Sequence, residues 1–201
     1  MKHKFLFLAV LGLATALMSC EPQMALYPLH TAEDKIFDEQ LLGEWRQVDP
    51  EEKTVKDNES SLSIVRAEDG LSYIVTLPVP KGKDEAGLAS TARLVKLGDF
   101  LFLDFKAPDD KDLKFNFYPY PVVESHVFAR VRADKKNLRL DFLSDDWVKK
   151  QLKDGKSALA TLAVDSGLLV TATTAELRKF ALAHAEDEEA FSERFEFARA
   201  K

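Results

Sequence analysis

The sequence predicts a mainly β domain of the α+β class: an antiparallel sheet closed or nearly closed as a barrel, with C-terminal helices packed on it. Three observations predict it. Apolar and polar residues alternate with period two through most of residues 43–143, the spacing that gives a strand two different faces. Turn sequences such as Glu68-Asp69-Gly70, Gly98-Asp99 and Asp134-Lys135-Lys136-Asn137 divide these runs at hairpin distance, so neighbours run antiparallel. Capping signals and helical spacing collect after residue 143.

The chain starts with a short positive head, Met1, Lys2, His3 and Lys4, followed by an apolar run from Phe5 to Met18. A helix crossing a bilayer needs ~20 apolar residues, so this shorter run reads as a secretory leader. It ends in Leu17-Met18-Ser19-Cys20, which resembles the bacterial lipobox. The resemblance implies that residues 1–19 are removed and that Cys20 carries lipid. The chain would then be held to a membrane of the cell envelope, facing the periplasm or the cell exterior. The alternative is an ordinary leader that ends near a cysteine. Cys20 is the single cysteine, so a lipidated chain has no disulfide, no thiolate metal ligand and no Cys nucleophile.

Residues 20–31 read as the lipidated Cys and a tether, the alternative being a segment packed on the domain through Leu26, Tyr27 and Leu29, and 32–201 as one β-rich domain with a helical C-terminal segment. Ile36, Phe37, Gln40 and Leu41 have helical spacing and predict a short helix or turn. Strands are expected at Gly43–Val48, Leu62–Ala67, Leu71–Leu77, Leu88–Leu97 and Phe100–Phe105, with a further extended piece from Phe115. In His126–Ala133, Val127, Ala129, Val131 and Ala133 share one face, and His126, Phe128, Arg130 and Arg132 the other. Leu138, Leu140 and Phe142 mark the returning strand. Ser144 or Asp145 can cap a helix that Gly155 ends. A hairpin is expected around Asp165-Ser166-Gly167. Thr173 and Glu176 form a capping box before a helix that His184 closes. A second short helix is expected over Asp187–Arg199, with Phe191 and Phe195 at i, i+4.

Leu42-Gly43-Glu44-Trp45, at the start of the first strand, resembles the Gly-x-Trp signature of lipocalin-like barrels. The resemblance implies an eight-stranded up-and-down barrel whose Trp plugs the closed end and whose interior takes small apolar ligands. Only Gly43 and Trp45 carry over, both as structural positions. The helices after residue 143 depart from that plan.

The formal net charge is −6, and losing Lys2 and Lys4 takes Lys plus Arg from 28 to 26 against 34 acids, about −8. An acidic domain has no electrostatic footprint for nucleic acid. His3, His30, His126 and His184 show no i, i+2 or i, i+4 pair, so the spacing predicts no local metal site. Asp109, Asp110 and Asp112 open like a calcium loop but lack its later Gly and Glu. Gly155-Lys156-Ser157 lacks the earlier Gly of a phosphate loop and reads as a helix stop. Ser125 and His126 are neighbours on a strand, so their side chains point apart. Arg130 and Arg132 could hold an anion, but an outer polar face paired with acids across the sheet accounts for them better. The expectation is therefore a membrane-anchored, non-enzymatic envelope protein without cofactor that binds a small apolar ligand or lipid. The alternative is an accessory lipoprotein docked on an envelope protein complex, and an enzyme is the third reading.

Overall fold

The computed structural model describes residues 22–48, 61–77, 88–106, 124–156, 159–164 and 167–200. The leader, Cys20, the polar loops at 49–60 and 81–86, the Asp109–Asp112 turn, the extended piece at Phe115, Ser157 and the turn residues Asp165 and Ser166 lie outside them.

Eight antiparallel strands form a closed ring. They are β2 (Gly43–Gln47), β3 (Ser61–Arg66), β4 (Ser72–Leu77), β5 (Leu88–Leu97), β6 (Phe100–Lys106), β7 (His126–Ala133), β8 (Asn137–Phe142) and β11 (Glu193–Arg199). Each pairs with its sequence neighbour up to β8, β8 pairs with β11, and β11 returns to β2 through Phe197↔Gln47 and Arg199↔Trp45. This is the closed antiparallel barrel that the alternation predicts, with the eight strands that the resemblance to lipocalin-like barrels implies. Three elements lie beside it. The short β1 (Met24–Ala25) pairs with the start of β7 and runs parallel to β10 (Gly167–Val170), which forms a hairpin with β9 (Thr161–Val164). Helices α1 (Asp145–Lys153) and α2 (Thr174–Ala183) complete an excursion between β8 and β11.

The period-two pattern sorts side chains into two cores. Inside the barrel, Trp45, Leu62, Tyr73, Leu94, Leu103 and Ala129 are buried together. Outside it, Val95, Phe102 and Phe128 face the excursion and pack on Val148, Leu177 and Phe191. Burial on both faces explains why β6 reads Phe-Leu-Phe-Leu with almost no polar alternation. Ser144 caps α1 through the Trp147 amide, and Thr173 and Glu176 make the predicted capping box of α2. Among the described residues, no helix is long and apolar enough to cross a membrane.

Two expectations are corrected. Asp187–Arg199 is not a helix: turns lead from α2 into β11 at Glu193. Phe195 and Phe197 belong to the barrel core and Phe191 to the outer core, so the i, i+4 spacing of Phe191 and Phe195 is coincidental to a strand of period two. The short helix or turn expected around Ile36 to Leu41 is present as a single 3-10 turn, Glu39–Leu41, capped by Asp38. The tether does not extend to Thr31. From Pro22 on, the chain is a strap against the barrel: Pro22 bridges Ser144, the Gln23 amide donates to Leu143 O, and Leu29 is fully buried. Backbone and side-chain bonds along the strap outweigh the looseness that its two prolines suggest.

Candidate functional site

The two ends of the barrel differ. At one, the 3-10 turn and the start of β2 form a plug. Gly43 adopts φ 126°, a left-handed region that L side chains avoid. A Cβ there would also lie 2.8 Å from Arg199 Nη1. Trp45 is fully buried, and its Nε1 donates to Leu41 O at 2.9 Å. The Arg199 guanidinium lies 4.1 Å from the Trp45 ring centre and donates to Leu42 O and Gln40 O at 2.7 and 2.6 Å. Beside it Arg66 stacks on Phe37, and Phe37 stacks on Tyr73 at 4.4 Å. Burial pushes the Tyr73 hydroxyl up to about 12, and it exchanges hydrogen bonds with the Asp38 backbone. Gly43 and Trp45, the two positions of the resemblance, both stand at this end of the barrel.

At the other end the described residues leave the interior unfilled. A cavity of about 390 Å³ is lined by apolar side chains, among them Leu62, Leu140, Phe105, Phe142 and Phe197, with Lys106 as its single charge among the described residues. It lies where β2, β4 and β6 end and β3, β5 and β7 begin. Pro22 and Met24 of the strap also border it. Binding pockets for small molecules run from ~300 to 1,000 Å³ and are mostly apolar, so this cavity fits a compact apolar ligand.

A polar pocket of about 290 Å³ lies on the outer side of β5, β6 and β7. Asp104 is its centre, with a fully buried side chain. Asp104 Oδ2 accepts from the amides of Leu29 and His30 at 2.8 and 3.0 Å and lies 2.6 Å from His30 Nδ1. Asp104 Oδ1 lies 3.0 Å from His126 Nδ1. Burial acts to raise the Asp104 carboxyl, but the hydrogen bonds from His126 and His30 outweigh it and hold it down to about 2. His126 Nε2 faces Glu124 Oε1 at 3.7 Å, and Glu124 also pairs with Lys106. Thus His30 and His126, which spacing kept apart, meet at one carboxylate. Asp104 carried a signal in sequence, an acid alone in the run Phe-Leu-Phe-Leu-Asp-Phe. Its pairing with His30 depends on a strap of which period-two reasoning says nothing. Ser125 lines the apolar cavity while His126 bonds Asp104, so the two do point apart. The Ser72 hydroxyl in the polar pocket donates to Asp69.

Arg130 and Arg132 lie on the outer face with an acid network. Arg130 is 1 % exposed; it donates to the buried Asp141, its partner across β8, to Glu188 and to Ala185 O. Arg132, Arg139 and Arg194 also bond Glu188, and Arg139 and Arg194 bond Asp141. This is the cross-sheet pairing, with Arg130 buried rather than solvated. Gly155 and Lys156 follow α1 as a helix stop, and His184 is the C-cap of α2.

Fold and cavities together define a closed up-and-down β barrel with one plugged end, one apolar opening and a helical excursion on its flank. No protein-family model matches the chain, and comparison with curated proteins and with solved structures finds no match.

Proposed function

We propose that this chain is a lipid-anchored, non-enzymatic protein of the cell envelope that holds an acyl chain or similar small apolar molecule in the open end of its barrel. The observation that carries the reading is the apolar cavity of about 390 Å³ and its border residues Pro22 and Met24. Two residues of chain reach at most about 7 Å, so a lipid on Cys20 would lie close to the cavity mouth. One acyl chain anchors weakly and two or more anchor stably, so an anchored barrel would keep this mouth near the bilayer. Among the described residues, exposed large apolar side chains are few; the cross-strand pair Val65 and Ile74 is too small to support the docking alternative.

The test has two arms. Mass spectrometry of the mature native N-terminus should find a lipidated Cys20; an intact leader or an unmodified thiol sinks the anchor. Titration with a fluorescent fatty acid should saturate at one site and be displaced by unlabelled fatty acid. Val127→Trp, which puts bulk into the cavity from β7, should abolish that binding while the far-UV spectrum is kept. Equal binding by wild type and variant would exclude the cavity as the site.

A further inference from the structure

We propose that His30, Asp104 and His126 bind a divalent first-row transition-metal ion, with Glu124 as a further donor at the rim, and that the ion clamps the N-terminal strap to the barrel. This inference is independent of the apolar cavity and of any lipid anchor.

One donor atom from each of the three residues lies within 4.8 Å of the others. Zinc takes imidazole nitrogen and carboxylate oxygen at about 2.0–2.2 Å, which puts tetrahedral donors about 3.4 Å from one another. Seating an ion therefore requires shifts of about 1 Å, outward for the 2.6 Å contact of His30 with Asp104 and inward for the wider pairs. The parts differ in their freedom to shift. Asp104 and His126 stand on β6 and β7, adjacent strands of a closed ring, with side chains 0 % and 4 % exposed. His30 stands on the strap outside the ring, its side chain 27 % exposed. Two fixed donors and one adjustable donor make a site that an ion can close.

The charge is suitable. Asp69, Asp104 and Glu124 face Arg93 and Lys106 in this pocket, three carboxylates against two cations. Among the described residues, the hydrogen bonds of Asp104 put three partners on Oδ2 and His126 on Oδ1, which leaves Oδ1 the less crowded oxygen for an ion. Two imidazoles and a carboxylate suit zinc, cobalt, nickel or copper, whereas magnesium and calcium take all-oxygen shells. Water would fill any position that Glu124 leaves to Lys106.

The experiment uses the full purified chain after dialysis against a chelator. Calorimetric titration with Zn2+ should show one site that excess Mg2+ does not occupy. Co2+ should give visible absorption bands that Zn2+ removes. His30→Ala and the milder His30→Gln should each weaken Zn2+ at least about tenfold, and Asp104→Asn likewise. Because Asp104 is buried and its variant could unfold, the two His30 variants decide, with circular dichroism confirming their fold. Hydrogen exchange adds a readout specific to the clamp: Zn2+ should slow the amides of Leu29 and His30 in wild type and not in His30→Ala. No heat and no cobalt bands, or Zn2+ affinity unchanged in both His30 variants, overturns the proposal and leaves a hydrogen-bonded His–Asp–His cluster only.

Discussion

Arg199 lies with its guanidinium carbon 4.1 Å from the centre of the Trp45 ring, which ties the last barrel strand to the first. The same guanidinium donates to three backbone carbonyls, Gln40, Leu42 and Lys135, so one side chain joins the 3-10 turn, β2 and the β7–β8 turn. Arg199→Ala should cost about 2–4 kcal/mol, from the lost ring contact and charged hydrogen bonds together. Arg199→Lys should recover less than half of that loss, because an ammonium cannot make the planar fork. Urea denaturation measures both; an unchanged midpoint in Arg199→Ala would refute the closing role.

Asp141 and Glu188 share the same arginines and should differ sharply in worth. Asp141→Ala removes a fully buried partner of the buried Arg130 and should cost about 3 kcal/mol or more. Glu188 is 52 % exposed, so solvent screens it, and Glu188→Ala should cost under about 1 kcal/mol. Equal losses in a denaturant series would mean that burial does not govern this network.

Glu188 also gives an acid signature. Burial acts to raise its carboxyl, but the charge of Arg130 and hydrogen bonds from Arg130, Arg132 and Arg139 hold it at about 2, against an ordinary 4.5. A folded-state value below the unfolded one means stability present above pH 4.5 and lost as pH falls toward 2. Melting temperature should fall over that window in wild type, and Glu188→Gln should show a shallower fall. Parallel curves for the two proteins would remove Glu188 from the account.

Thr173→Ala should destabilise by about 1 kcal/mol, since its hydroxyl accepts from the Glu176 amide at the start of α2. Thr173→Ser should keep most of that stability. A loss in Thr173→Ser as large as in Thr173→Ala would show that the methyl contact matters more than the cap.

The barrel was legible because its side chains obey one local rule. His126–Ala133 divides as its alternation predicts, with Val127, Ala129 and Val131 inward and His126, Phe128 and Arg130 outward. What that rule omits is the fate of the outer face. Phe102, Phe128 and Arg130 are buried by an excursion whose Phe191, more than sixty residues away in sequence, packs on all three, a long-range event that no period encodes. The strand β11 was misread because Glu193, Glu196 and neighbouring alanines favour helix locally, whereas pairing with both β8 and β2 overrides propensity. The plug was readable at Gly43 and Trp45, but Arg199, its third member, lies 154 positions from Trp45 and has no local mark. The polar pocket was the least legible part. It joins residues 30, 104 and 126; Asp104 stands out as an acid in an apolar run, but nothing local marks His30 or His126 as its partner.

The ring also constrains the order of assembly. Its seam joins a strand that begins at Gly43 to one that ends at Arg199, so no partial chain can form a closed cylinder. Until the final strand arrives, β2 and β8 each present a bare rim of amides and carbonyls that another chain could extend. Removing β11 would therefore turn a closed cylinder into an open, adhesive sheet.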